Sequence, residues 1–133
     1  AATMVAMHYK GHYNRPRPTQ ICPALFPPVE VPDHASYPSG HSTQARIFAI
    51  CCKAMLPAPQ AAQLGPVLDA MALRIARNRE IAGLHYPSDS AGGRLVAEGI
   101  FRVLNDDARM SPGAGMPSKF RVAMEHAKSE WSF

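Results

Sequence analysis

The sequence contains no Cys-x-x-Cys pair, and its three cysteines, Cys22, Cys51 and Cys52, form an odd set. A zinc ribbon and a disulfide scaffold are therefore both unsupported, and a bridge from Cys22 to the adjacent pair stays open beside free thiols. Long apolar runs are also absent. The longest, at 47–52, ends at Lys53, well short of the roughly 18 residues that a membrane-spanning helix needs. We expect no membrane span in this chain.

Charged residues make up only 18% of the 133 residues and aromatic residues only 8%, whereas 47% are hydrophobic. This composition allows one domain to bury a core. The balance of 14 Lys and Arg against 10 Asp and Glu is compatible with an anionic ligand. Nucleic acid is not expected as a partner, because the basic residues are scattered and aromatic side chains are few.

The amino terminus carries no recognisable targeting signal. The sequence begins at Ala1 rather than Met and shows no n-region, h-region and cleavage-site pattern. We expect either that an upstream segment was removed or that the chain is a fragment of a longer protein.

Proline is concentrated in one stretch, since seven of the thirteen prolines lie between Arg15 and Ser39. Proline lacks the N–H group that a helix needs, so the stretch is predicted to be an irregular loop, of the long kind that is often functional. No segment alternates convincingly with a period of two, and the remaining patterns are helical. The fold is therefore predicted to be all-α.

Four helices are predicted after this loop. Within 42–56, a run of residues from Ala45 to Cys52 that is apolar on nearly all sides indicates a buried central helix. At 61–82 four apolar residues at helical spacing indicate one inward stripe. They are Leu64, Leu68, Met71 and Ile75. A third helix begins at Pro87 and ends near 106–107, and a short helix at 119–128 follows a linker at 111–117. We expect a helical domain at 1–109, and a linker with a C-terminal helix at 110–133.

Arg79 continues the apolar stripe, four residues after Ile75. A guanidinium on that face points at the core, where it is costly unless it is paired with an anion. Taken alone, the residue is also explained as an arginine at a helix C-terminus whose charge reaches water.

His85 and Asp89 stand four residues apart, on either side of Pro87. A carboxylate at that spacing can accept from one imidazole nitrogen and leave the other free as a nucleophile or base. Taken singly, Asp89 would complement a helix dipole and His85 would be an ordinary loop histidine.

Ser39, Gly40 and His41 precede the predicted central helix. Ser39 is a natural N-cap, Gly40 lets a ligand approach the backbone, and free N–H groups at a helix start bind phosphate. A capped helix with an exposed histidine is the plainer explanation of the same residues.

The basic residues before the loop, Lys10, Arg15 and Arg17, would by themselves form a solvated patch. Considered together, however, the clusters supply several fixed cations, helix-end amides, one oriented histidine and one spare histidine. Phosphoryl transfer needs this set, because charge spreads over three equatorial oxygens in its transition state.

Three motifs carry a resemblance to a known family: Lys10-x6-Arg17-Pro18, Pro38-Ser39-Gly40-His41 and Arg79-x5-His85-x3-Asp89. They resemble the signature motifs of the type 2 phosphatidic acid phosphatase superfamily, which includes bacterial nonspecific acid phosphatases and vanadium-dependent haloperoxidases. The resemblance covers about residues 10–93. It implies a helical bundle of the acid phosphatase and haloperoxidase type, incomplete here at its N-terminus because only nine residues precede the first motif.

The resemblance also implies a role for each residue. His85 would attack phosphorus and form a phosphohistidine, Asp89 would orient it, and His41 would protonate the leaving oxygen and later activate water. The groups that would hold the phosphate oxygens belong to Lys10, Arg17, Ser39, Gly40 and Arg79. No metal or other cofactor is implied for a phosphatase, whereas a haloperoxidase would hold vanadate on His85.

We therefore expect an acid phosphatase-like enzyme that hydrolyses small phosphate monoesters without a metal. Two alternatives stay open: a vanadium-dependent haloperoxidase and a non-catalytic phosphate-binding module. An incomplete bundle would expose apolar surface, which a second copy of the chain or a separate N-terminal segment would cover. By analogy with relatives, the expected location is periplasmic or secreted.

Overall fold

The structure, a computed structural model, describes residues 1–113 and 115–131. The regular structure within these ranges is entirely helical, which confirms the predicted all-α class. Seven helices occur there: α1 (Ala2–Tyr13), α2 (Pro18–Ile21), α3 (Gly40–Met55), α4 (Ala58–Ile81), α5 (Pro87–Leu104), α6 (Asp107–Met110) and α7 (Lys119–Ser129).

Helix α3 is the centre of the bundle, because α1, α4, α5 and α7 all pack against it. Glycine brings the start of α5 very close to the start of α3. A Cβ atom at Gly93 would lie 2.6 Å from the carbonyl oxygen of Ser39, and one at Gly92 would lie 2.5 Å from the ring of Tyr37. Any larger residue at either position would have to push the two segments apart.

The predicted inward stripe of α4 is wrong. Leu64, Met71 and Ile75 are between 39% and 55% exposed. The buried face of α4 carries small residues instead, among them Ala72 and Ala76. Small side chains let α4 approach its neighbours closely, so the large apolar side chains lie at the margin of the contact and line open clefts.

One other prediction for the helices needs correction, and helix α1 was not predicted. Helix α3 is not buried on nearly all sides, because Phe48 is 64% exposed and its fully buried residues include Ser42 and Thr43. Helix α1 is not predicted by hydrophobic periodicity, since its buried residues are only Ala6 and Lys10. The helices predicted at 42–56, 61–82 and 119–128 are present within three residues of those bounds.

The proline-rich segment follows an irregular path, as predicted, apart from the single turn of α2. Pro18 occupies the first position of that turn, where its missing N–H costs nothing. Residues 22–39 contain neither helix nor strand. The backbone N–H of Ser36 donates to the carbonyl oxygen of Arg15 at 2.9 Å, which holds the end of the segment against its beginning.

Within the described ranges, no helix combines the length and the apolar character that a membrane crossing requires. Cys22, Cys51 and Cys52 are all free thiols, the first exposed and the other two half-buried. The predicted linker at 111–117 includes residue 114, and the predicted C-terminal segment includes residues 132 and 133. These three residues lie outside the described part of the chain.

Candidate active site

A cavity of about 130 Å³ lies where the start of α3, the end of α4 and the residues before α5 meet, with α1 and the proline-rich segment closing it. Six of the eight sequence-predicted site residues line this space: Lys10, Arg17, Gly40, His41, Arg79 and His85. The other two, Ser39 and Asp89, are fully buried behind them. We call this space the phosphate cavity.

His85 and Asp89 form a buried hydrogen-bonded pair. The imidazole Nδ1 lies 3.1 Å from Oδ2 of Asp89, at 5% exposure for the histidine and 0% for the aspartate. The geometry follows from the helix start, because His85 precedes Pro87 at the first position of α5 and Asp89 occupies the first turn. An ionised Asp89 accepts the Nδ1 proton, so Nε2 is the nitrogen left free to act as a nucleophile.

Several hydrogen bonds converge on the carboxylate of Asp89. Oδ2 also accepts from the hydroxyl of Ser36 and from the backbone N–H of Tyr86, both at 2.9 Å. Burial by itself would raise the pKa of Asp89, but the bonds from His85, Tyr86 and Ser36 bring that pKa below its ordinary value. The aspartate therefore stays ionised to lower pH than an aspartate in water.

Arg15 completes the surroundings of this carboxylate. Its Nη1 donates to Oδ1 of Asp89 at 2.9 Å and to the hydroxyl of Ser88 at 2.7 Å. The guanidinium also stacks over the ring of Tyr86, 4.1 Å from its centroid. Sequence reasoning placed Arg15 in a basic patch and missed this contact. The need of a buried carboxylate for a cation is the signal that could have indicated it.

Burial governs the ionisation of His85. It lowers the pKa of the imidazole below the ordinary value, and the charges of Arg17 and Lys10 act in the same direction. The hydrogen bond and the charge of Asp89 oppose them. His85 therefore stays neutral down to a lower pH than a histidine side chain in water.

Backbone carbonyl groups hold the first two cations in place. Nζ of Lys10 donates to the carbonyl oxygens of Ala35 and Ser36, at 2.6 and 3.1 Å. Arg17 donates through Nη1 to Leu84 at 2.8 Å. The pKa of Lys10 falls to about 8, chiefly because of burial and secondly because of the charge of Arg17, while Asp89 opposes both.

Arg79 supplies the third cation, in the last turn of α4. Its Nε is buried and has no hydrogen-bond partner among the described residues. A guanidinium donor left unpaired beside two further cations is costly unless an anion completes the site. The phosphate cavity is therefore suited to an anion with several oxygen acceptors.

Of the residues at the start of α3, Ser39 caps the helix and Gly40 lines the phosphate cavity. Ser39 is the N-cap, since its hydroxyl accepts from the N–H of Ser42 at 3.3 Å, and it lies behind the cavity rather than on its wall. Its own N–H donates to the backbone carbonyl of Asp89 at 3.0 Å, which joins the starts of α3 and α5. Gly40 is the first residue of the helix and lines the cavity.

His41 stands at the open side of the phosphate cavity and is exposed. Partial burial of its ring lowers its pKa below the ordinary value, and the charges of Arg79, His85, Lys10 and Arg17 act in the same direction. Among the described residues, no group of three or more His, Cys, Asp or Glu side chains is placed to hold a metal ion.

Two further wall residues were not singled out by sequence reasoning. His34 lies beside Arg17, with Nδ1 3.1 Å from Nη2, and Gln44 lies one helical turn beyond His41. The position of His34 depends on the path of the irregular segment, which no local pattern predicts. Gln44 follows from helical spacing once His41 is placed on the wall.

The phosphate cavity combines an oriented buried histidine, an exposed histidine, three cations and a helix start, and this combination fits the chemistry of phosphate esters. No curated protein matches the chain. The family model of the PAP2 superfamily does match, over residues 1–109. Phosphatase-type chemistry is what membership implies. With the greater part of its length covered by that match, the chain belongs to the PAP2 superfamily, as its three motifs indicated.

Proposed function

We propose that the protein is a phosphatase that hydrolyses phosphate monoesters through a phosphohistidine formed on His85, without a resident metal. One observation carries the proposal. A buried imidazole oriented by Asp89 faces a cavity in which Lys10, Arg17 and Arg79 converge, and the last of these has an unpartnered buried donor. The arrangement provides both a nucleophile and a site for the negative charge of the transition state.

In the first step, Nε2 of His85 attacks phosphorus while the bond from phosphorus to the ester oxygen breaks. Protonated His41 gives its proton to that oxygen, so the alcohol leaves neutral. The positive charge that develops on His85 is stabilised by Asp89, which accepts from Nδ1 throughout. The product is a phosphoryl group bonded to nitrogen.

In the second step, His41 is neutral and takes a proton from water as the water oxygen attacks phosphorus. The bond from phosphorus to Nε2 of His85 breaks, and the electron pair returns to the imidazole. Inorganic phosphate leaves, and both histidines regain their starting states. Lys10, Arg17 and Arg79, with the amide of Gly40, donate to the equatorial oxygens in both steps.

Hydrolysis of nitrophenyl phosphate in the presence of EDTA tests the proposal. We expect turnover that survives EDTA and is inhibited by vanadate, which resembles the pentacoordinate transition state. His85→Ala should lower kcat by about 10³-fold or more. His126→Ala is the matched control, since His126 is exposed on α7 and does not line the cavity.

Trapping the intermediate separates a nucleophile from a merely structural histidine. Rapid quenching in alkali, where a phosphoramidate survives, should leave one phosphoryl group on the peptide that contains His85.

Two other outcomes would indicate the alternative functions. If nitrophenyl phosphate is not hydrolysed but bromide is oxidised by peroxide when vanadate is added, the protein is a haloperoxidase. Phosphate binding without turnover, unchanged in His85→Ala, would indicate a binding module.

A further inference from the structure

A second cavity, of about 330 Å³, adjoins the phosphate cavity and lies between α3 and α4. His41 and Gln44 line both spaces. We call the second space the α3–α4 cleft. Its larger apolar side chains are Phe48, Leu68, Met71 and Ile75. The cleft thus begins at the histidine that faces the leaving oxygen in the proposed reaction.

Helical spacing sets the direction of the cleft. On α3, Phe48 lies seven residues beyond His41, which is about 10 Å along the helix axis. On α4, Arg79 follows Ile75 by four residues, so the two share one face. Both rows of side chains run from an apolar end to the cationic end at the phosphate cavity.

The walls of the cleft are apolar and open to solvent. Phe48 is 64% exposed and Met71 is 55% exposed. Gln44 is the polar wall residue besides His41, and its Nε2 donates to the hydroxyl of Thr3 at 3.0 Å. Contiguous exposed apolar surface beside a polar site is typical of ligand binding. Hydroxyl groups placed against it would lose their hydrogen bonds to water.

We propose that the α3–α4 cleft binds the apolar part of the leaving group, so that the preferred substrates are phosphate monoesters of alkyl or aryl alcohols. The inference rests on the proposed phosphatase function. A phosphoryl group held between Arg79 and His85 directs its ester oxygen to His41, and the carbon chain beyond that oxygen continues into the cleft. Sugar and nucleoside phosphates would bring several hydroxyl groups against Met71 and Ile75 instead.

A series of n-alkyl phosphates from methyl to hexyl, assayed with the full chain, tests this inference. Each methylene group that the cleft buries should raise kcat/KM by about fourfold. The kcat/KM for glycerol phosphate should be little higher than that for methyl phosphate. Phe48→Ser and Met71→Gln should flatten the dependence on chain length, and both replace exposed side chains, so the fold should persist.

Leu73→Gln is the matched control. Leu73 lies on the same helix as Met71 and is 51% exposed, but it does not line the cleft. The dependence on chain length should therefore stay as in the wild type. The same dependence in Met71→Gln as in this control would overturn the assignment.

The outcomes distinguish this inference from the function on which it rests. If methyl phosphate is hydrolysed but kcat/KM does not rise with chain length, the apolar leaving-group site is overturned and the proposed phosphatase function stands. Failure to hydrolyse every member would overturn the proposed function, and the inference with it. A change of oligomeric state in Met71→Gln, with the wild-type series flat, would show that a second copy covers the cleft and would overturn the inference alone.

Discussion

Arg15 and His85 share one carboxylate: Nη1 of Arg15 donates to Oδ1 of Asp89 at 2.9 Å, and Nδ1 of His85 lies 3.1 Å from Oδ2. The aspartate is fully buried, whereas the side chain of Arg15 is 37% exposed. The arginine therefore offsets part of the charge that Asp89 presents to the imidazole, from a position that does not line the phosphate cavity. We regard Arg15 as a positioning residue.

Replacing Arg15 by methionine should move the acid limb of the pH profile to higher pH. Asp89 raises the pKa of His85, and burial, Arg17 and Lys10 lower it. Without Arg15, the carboxylate acts on the imidazole at full strength, so the histidine becomes protonated and inactive at a higher pH. The measurement is kcat/KM for nitrophenyl phosphate against pH.

Arg15→Lys should restore much of the wild-type profile, because it keeps the charge. Arg77→Met is the control, since the side chain of Arg77 is 65% exposed on α4 and does not line the phosphate cavity. A loss of activity in Arg15→Met at every pH, with the acid limb unmoved, would contradict the positioning role.

His41→Ala should slow alkyl phosphates more than nitrophenyl phosphate. An alkoxide needs a proton as it leaves, whereas nitrophenolate does not, and general acid catalysis typically contributes about 10²–10⁴-fold. The comparison uses kcat/KM for ethyl phosphate and for nitrophenyl phosphate in the wild type and the variant. Equal losses on both substrates would argue against the acid role.

Hydrolysis of alkyl phosphates should be fastest below pH 6.5. The pKa of His41 is lowered from 6.5 by partial burial and by the nearby charges of Arg79, His85, Lys10 and Arg17. The protonated form that donates to the leaving oxygen therefore predominates only below pH 6.5. The pKa of His85 is lowered as well, chiefly by burial, so its neutral form persists to lower pH than in water. A profile of kcat/KM for ethyl phosphate checks this, and a maximum above pH 7 would contradict it.

Inorganic phosphate and vanadate should stabilise the fold. The anion supplies the partner that Nε of Arg79 lacks, and a ligand at 100 times its Kd adds about 2.7 kcal/mol, a rise of several degrees in Tm. Arg79→Met should remove most of this rise. Arg74→Met, an exposed position on the same helix that does not line the cavity, should keep it.

Gly93→Ala should destabilise the fold by about 1–3 kcal/mol, because its Cβ would collide with the Ser39 carbonyl oxygen at 2.6 Å. Activity should fall as well, since the collision separates the starts of α3 and α5. Gly99→Ala is the control on the same helix, with nothing within 4 Å of its Cβ, and should be neutral or slightly stabilising. Urea unfolding of both variants measures the difference, and equal stabilities would contradict the packing argument.

The sequence predicts four of the helices, α3, α4, α5 and α7, and the site motifs, because both depend on local spacing, whereas α1, α2 and α6 were not predicted. A spacing of four residues across the start of α5 brings the side chains of His85 and Asp89 together, and Pro87 marks that helix start in the sequence. The inward face of α4 was predicted wrongly, because Ala72 and Ala76 repeat with the same period as the larger Met71 and Ile75. Periodicity does not distinguish small buried residues from large residues beside a cleft.

The contacts that the sequence could not predict depend on the proline-rich segment. Lys10 reaches the carbonyl groups of Ala35 and Ser36 because that segment returns to its own beginning, and Arg15, at that beginning, reaches Asp89 on α5. No regular hydrogen-bonding pattern determines such a path. The identity of the cationic residues was therefore predictable, whereas their fixation by backbone carbonyls was not.

The bond from the N–H of Ser39 to the backbone carbonyl of Asp89 joins segments that lie far apart in the sequence. It links the two helix starts that carry the histidines of the proposed reaction, His41 in the first turn of α3 and His85 just before α5. In the proposed reaction, the attacking and the protonating histidine therefore belong to two helix starts that are hydrogen-bonded to each other. The space between these histidines depends on how closely the two helix starts pack, and that packing requires glycine at position 93.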